Sequence, residues 1–369
     1  MNKRSLSQHP PDPESQGQAG LPRSGLNPPR GRMLLASCRS GNSFAKKVHR
    51  SCRDLLSEEG SEVQIPFLEK IDFQFSDGET CVRLDQDVNG RDIFLFQALS
   101  NPLQEASINH HYLALMIAAR TFREWGANHV TGVVPYLAYT RQDKPTRFER
   151  EPTTVELMAD LSIEAGLDRL VTWHPHMERV HGYYGSVPVN ALSSLGLFRQ
   201  QFEDFADRED VIAVAPDSGA LKFIMDFARS LNISSAVAAK YRPRPEKAVV
   251  SEIMGDFEGQ QTAVILDDMI NTGGTVSAAV KKLVRDHGIE EVYLGVSHNL
   301  GSDQALERLR ILHQDFQLEE VVVTDSIPQR QEFLELPFTR VVSLAEPLCT
   351  VINRIHHNQP VGDWFFEQK

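Results

Sequence analysis

Ala263-Val264-Ile265-Leu266-Asp267-Asp268-Met269-Ile270-Asn271-Thr272-Gly273-Gly274-Thr275 is the stretch that decides the fold. An apolar run ends in two carboxylates, and a Thr-Gly-Gly-Thr turn then opens a segment of helical period from Val276 to His287. A strand that feeds a helix in this way belongs to the βαβ unit of a parallel sheet. Successive backbone N–H groups at such a helix start form a concave anion site, and the glycines let an anion approach without meeting a Cβ. Thr272, Gly273, Gly274 and Thr275 are therefore predicted to cradle a terminal phosphate. Two acids just ahead of the cradle would repel that phosphate unless they hold sugar hydroxyls or a metal ion. A ribose phosphate meets both demands; the plain alternative is that Asp267 and Asp268 only cap and solvate a strand end.

Outward from this unit the same alternation repeats. Short β-branched runs occur at 92–96, 130–134, 169–172, 211–215, 236–239, 291–296, 320–324 and 340–344, and Met33 to Ala36 reads as a first short strand. Between them, 108–125, 155–165 and 222–231 carry apolar residues at i, i+3, i+4 spacing. So many strands exceed one compact doubly wound sheet, and two consecutive α/β domains fit better. The periodicity breaks at 186–197, which puts the domains at 33–190 and 191–345, with 346–369 a C-terminal helix or tail able to pack back on the N-terminal domain. Residues 1–32 hold six of the twenty prolines and almost no large apolar residue. Such a segment cannot repay the entropy of ordering and is expected to be a disordered tail.

Composition narrows the function classes. The 369 residues carry a net charge of −12, which gives no overall field for holding nucleic acid or an anionic membrane. The longest apolar stretch, Tyr112 to Ala119, is far shorter than the roughly 18 residues of a membrane span. Cys38, Cys52, Cys81 and Cys349 form no C-x-x-C pair. All four are read as structural thiols in a reducing compartment, against a disulfide scaffold or a zinc ribbon.

Further residues suggest chemistry on phosphates. Lys240, Arg242 and Arg244 lie on a proline-punctuated segment that reads as a mobile basic loop, or more plainly as a solvated one. His174, His176 and His181 cluster after a strand, but without H-E-x-x-H or a cysteine partner a zinc site is poorly supported. Asp217 stands at a strand end before Ser218-Gly219, where ligands of open α/β sheets gather, and it could also cap the next helix. No G-x-x-x-x-G-K-[ST] occurs, which excludes a P-loop kinase.

The 263–275 segment resembles the ribose-phosphate loop shared by type I phosphoribosyltransferases and ribose-phosphate pyrophosphokinases. Phe75-Ser76-Asp77-Gly78-Glu79-Thr80, Pro135 to Lys144, Trp173-His174-Pro175-His176-Met177-Glu178, Ala215 to Ala220 and Lys240 to Arg244 follow the order and spacing of the pyrophosphokinases. Several of these blocks look most like the archaeal variety. The resemblance runs from about Met33 to about Ile355. It implies two phosphoribosyltransferase-like (type I) domains, each a mostly parallel sheet covered by helices. It also implies a cytoplasmic, Mg2+-dependent enzyme that passes the diphosphoryl group of ATP to ribose 5-phosphate.

The roles it implies are these. Asp267, Asp268 and residues 271–275 bind ribose 5-phosphate, and Lys240, Arg242 and His176 are catalytic. His176 and Asp217 lie at the metal. ATP falls to Arg141 and Gln142, with Phe75, Asp77, Gly78 and Glu79 supplied by a neighbouring subunit of a homo-oligomer. The sequence departs from the commonest pattern at His174, Tyr241 and Asn271. Two rivals are a type I phosphoribosyltransferase, which would need a free base and form no AMP, and a non-catalytic regulatory homologue. Retention of Lys240, Arg242 and His176 argues against the second.

Overall fold

A computed structural model describes residues 30–362, save 59, 62, 147, 245 and 246, and the side chains of 240–251 lie outside the described residues. The tail reading for 1–32 falls outside them up to residue 29, as does 363–369 of the C-terminal segment.

The first half is built on β1 (Met33–Ser37), α1 (Asn42–Glu58), β2 (Phe67–Leu68), β3 (Asp72–Gln74), β4 (Thr80–Val82), β5 (Asp92–Phe96), α2 (Ile108–Glu124), β6 (His129–Val133), α3 (Thr154–Ala165), β7 (Arg169–Trp173) and β8 (Val189–Leu192). Six of these strands form one sheet in the order β2-β1-β5-β6-β7-β8, every pair parallel. Strands covered on both faces can be apolar throughout, which is why Asp92 to Phe96 shows no alternation and is buried along its length. β3 and β4 pair separately as an antiparallel hairpin.

The second half continues with α4 (Leu195–Gln201), β9 (Val211–Ala215), α5 (Leu221–Leu231), β10 (Ser234–Arg244), β11 (Lys247–Met254), β12 (Thr262–Ile270), α6 (Gly274–His287), β13 (Glu291–Asn299), α7 (Asp303–Asp315), β14 (Leu318–Thr324), α8 (Gln331–Leu334), β15 (Thr339–Val342) and α9 (Ala345–His356). Its seven-stranded sheet runs β11-β10-β9-β12-β13-β14-β15, parallel except for the edge pair β10/β11. α6 and α7 cover one face through Val280, Leu283 and Leu309. On the other face Phe198 of α4 and Phe227 of α5 do the same.

Three local expectations are corrected. The break expected at 186–197 contains β8, whose four residues pair with β7; an edge strand this short is set by its partner rather than by its own pattern. The segment of Lys240, Arg242 and Arg244, expected to be a loop, continues β10 and pairs with β11 from Lys240↔Val250 to Arg244↔Lys247. Proline is tolerated there because this is a register-shifted stretch of an edge hairpin. The cysteines were expected to be four thiols, yet Cys52 and Cys349 are paired as a disulfide across 297 residues, with Cα atoms 5.4 Å apart, while Cys38 and Cys81 are free. The cause is α9, which returns to the first half and packs on α1, burying Leu348, Val351, Ile352 and Ile355 beside Phe44 and Val48.

Candidate active site

The second sheet changes direction between β9 and β12, since the chain leaves β9 for β10 on one side and later returns to β12 on the other. Open α/β sheets bind ligands in the crevice at the carboxyl ends of strands flanking such a switch. Asp217 follows β9, and Asp267 and Asp268 lie in the last part of β12. The three acids converge closely enough that Asp217 and Asp268 both resist ionisation of Asp267.

Burial, and then the charge of Asp268, push the Asp267 carboxyl well above the usual range. Asp268 goes the other way. Burial opposes its ionisation, but the hydrogen bond and charge of His176 prevail and hold it down. His176 Nδ1 lies 2.6 Å from Asp268 Oδ2, and this bond in turn raises the imidazole against the cost of burial. Arg141 and Asp143 from the first half sit near enough to act on the same imidazole with opposite sign.

After β12 the backbone turns through Gly273, left-handed at φ 73°, into α6, whose first residue is Gly274. Asn271, Thr272 and Gly274 are exposed, with Gly273 and Thr275 half-buried. A glycine is needed at 273 because a side chain there would be strained at that φ. The turn therefore presents backbone amides to solvent at a helix start, the geometry of an anion cradle.

First-half residues reach this place through β7. Trp173 ends the strand, and His174, held at φ 37°, begins the turn that presents His176. His174 Nδ1 lies 2.5 Å from Ser297 Oγ, and Ser297 Oγ lies 2.6 Å from Ser194 Oγ, which accepts from Trp173 Nε1. His298 Nε2 donates to the His174 carbonyl at 3.1 Å. Burial pushes both His174 and His298 down to about 4, so they are neutral at pH 7 and act as hydrogen-bonding struts between the halves. Ser297 and His298 were missed in the sequence reading, because their partner lies more than 120 residues away. Lys47 and Asp325 add an ion pair between the halves at 2.8 Å.

The structure thus brings together His176, Asp217, Asp267, Asp268, Arg141 and the 271–275 turn. Gln142 stands beside Arg141 and accepts from Thr154 Oγ1 at 2.6 Å. Phe75, Asp77, Gly78 and Glu79 form the tip of the β3–β4 hairpin, which docks on α2. Asp77 Oδ1 accepts from Glu79 N, and the Phe75 ring is half exposed against Phe73. Lys240 and Arg242 belong to β10, but the positions of their side chains lie outside the described residues.

Comparisons with known proteins place the chain among its relatives. Residues 33–166 match the N-terminal domain of ribose phosphate pyrophosphokinase, and 207–366 match the phosphoribosyl synthetase-associated domain. A ribose-phosphate pyrophosphokinase of Caldanaerobacter subterraneus subsp. tengcongensis is 35% identical over 291 residues, 79% of this chain and 88% of the relative. One from Fusobacterium nucleatum is 32% identical over 88% of this chain and 96% of its own length. The crystal structure of phosphoribosylpyrophosphate synthetase from Mycobacterium smegmatis superposes with a TM-score of 0.72 at 28% identity, covering 89% of this chain and 99% of that one.

Proposed function

The chain belongs to the ribose-phosphate pyrophosphokinase family, and we propose that its work is divided along the line where the two sheets meet. It is a ribose-phosphate diphosphokinase: the 1-hydroxyl oxygen of ribose 5-phosphate attacks the β-phosphorus of ATP, the bond from that phosphorus to the α-phosphate breaks, and AMP leaves. Two polyanions must meet, so positioning and cations matter more than covalent help from the protein.

Residues 271–275 hold the 5-phosphate, and Asp267 and Asp268 hold the ribose hydroxyls. Asp268, held ionised by His176, suits this task as an acceptor for a diol, with Asp267 beside it, whose ionisation burial and the Asp268 charge oppose. Arg141 and Gln142 take the nucleotide. The exposed hairpin tip at Phe75, Asp77, Gly78 and Glu79 completes that site on a neighbouring copy of the chain, with the Phe75 ring offered to adenine. Lys240 and Arg242 meet the migrating diphosphoryl group.

The cofactor is Mg2+. With Nδ1 engaged by a carboxylate, His176 would bind a metal through Nε2, the pairing common to metal-binding imidazoles. Asp217 is half-buried and close enough for its charge to act on Asp267. Among the described residues no group of three or more His, Cys, Asp or Glu is placed to hold a metal by itself. This suits an ion that takes one or two protein contacts and completes its shell with phosphates and water. When bound, the ion offsets charge on the triphosphate; His176 and Asp217 would hold it. No described helix is long and apolar enough to cross a membrane, and we place the enzyme in the cytoplasm, with ATP and ribose 5-phosphate.

The observation that carries this reading is the 2.6 Å contact of His176, in the turn after β7 of the first sheet, with Asp268 of β12, 92 residues further on in the second. The test is AMP formation from ATP, ribose 5-phosphate and Mg2+. AMP that appears only when the sugar phosphate is present supports it; no AMP, with phosphoribosyl pyrophosphate consumed when a free base is supplied, would replace it with a phosphoribosyltransferase.

A further inference from the structure

α7 lies behind the 271–275 turn and reaches it with two side chains. Ser302 Oγ donates to the Asn271 carbonyl, and Arg308 Nη1 donates to the Thr272 carbonyl. Ser302 is itself fixed as the cap of α7, accepting from Ala305 N at 3.1 Å. The backing is close: a Cβ built on Gly273 would come within 3.6 Å of Ala305 Cα, and one on Gly274 within 3.8 Å of Arg308 Nη1.

A trans peptide points its C=O and the following N–H in opposite directions. Drawing the carbonyls of Asn271 and Thr272 toward α7 therefore turns the N–H groups of Thr272 and Gly273 away from it. Those are the amides an anion cradle requires. A glycine on one side of the 272–273 peptide lets that peptide flip, so the bond to the Thr272 carbonyl biases which way its amide faces.

We propose that Ser302 and Arg308 are positioning residues that hold the amides of the phosphate cradle in their binding orientation, with the Arg308 guanidinium also lending positive charge beside Gly274. The proposal rests on the reading of residues 271–275 as the 5-phosphate site. It concerns affinity for the sugar phosphate and leaves the nucleotide site untouched.

The test is calorimetric binding of ribose 5-phosphate to the full chain without ATP, alongside the Michaelis constants for both substrates. Arg308→Ala should weaken ribose 5-phosphate about 10- to 100-fold, as expected when a charge-assisted bond that orders a site is lost. The Michaelis constant for ATP should stay within about twofold. Arg308→Lys should recover part of the loss, since one ammonium can still hold one carbonyl, and Ser302→Ala should cost about 3- to 10-fold. Unchanged sugar-phosphate binding in Arg308→Ala overturns the proposal. So does a parallel loss for both substrates that lysine does not rescue, which marks a general structural role. Wild-type protein that binds ribose 5-phosphate but makes no AMP would sink the diphosphokinase reading and leave the clamp standing; AMP formation with normal binding by Arg308→Ala would do the reverse.

Discussion

The two sheets have the same kind of switch point and use it in opposite ways. In the first sheet the switch lies between β1 and β5, and the turn after β1 has spent its polar groups internally. Asp72 accepts the Arg39 amide, Ser40 Oγ donates to the Ala98 carbonyl at 2.8 Å, and Gly41 lies so close to β5 that a Cβ would come 2.8 Å from Gln97 Cα. In the second sheet the switch between β9 and β12 leaves three half-buried acids beside a glycine turn that is open to solvent at Asn271, Thr272 and Gly274. Topology supplies the crevice, but only the residues at its rim make it a site. The first sheet contributes from elsewhere, through the β7 turn that carries His176 to Asp268.

The contrast can be broken experimentally. The largest expected effect is at the basic end of the second sheet. Lys240→Ala should lose about 10² to 10³ in the rate of AMP formation, the usual cost of removing a transition-state donor, at little change in melting temperature. A rate within a few-fold of wild type would take Lys240 out of the machinery. At the first switch point the opposite pattern should appear. Gly41→Ala forces a methyl into the backbone of β5 and should cost roughly 1–3 kcal/mol of stability, measured by denaturant unfolding, while activity per folded molecule is preserved. Selective loss of ribose 5-phosphate binding in that variant would mean the first switch point is a site as well.

Acid should loosen the join between the sheets. His298 is held near 4 in the fold against about 6.5 when unfolded, so the unfolded chain takes the proton first. Its stabilising contribution is present above pH 6.5 and is lost as the pH falls toward 4. Between pH 7 and 5 this amounts to about 2 kcal/mol, and His298→Asn should show a correspondingly shallower pH dependence of unfolding. An equal slope in the variant would remove His298 as its source. The smallest effect concerns α9: denatured without reductant, the protein should titrate two thiols, Cys38 and Cys81. Four reactive thiols would contradict the Cys52–Cys349 pairing.

What could be read from sequence was what is local. The β12 run and its glycine turn, the helices at 108–124 and 274–287, and the apolar parallel strands all declare themselves within about fifteen residues. The elements that escaped are set by distant partners. β8 exists by pairing with β7, and β10 extends through Arg244 because β11 pairs with it. The Cys52–Cys349 contact needs α9 to cross back onto α1. The site divides in the same way. Asp267, Asp268 and residues 271–275 are one motif, whereas Ser297, His298, Ser302 and Arg308 matter only through contacts that the fold brings about.

The central claim is that an imidazole from one sheet and a carboxylate from the other act as a unit. A double-mutant cycle on AMP formation tests it, using His176→Ala, Asp268→Asn and the pair together. If they act as a unit, each single variant loses at least about tenfold and the double variant is no slower than the worse single. Losses that multiply, or single variants that match the wild type, would contradict it.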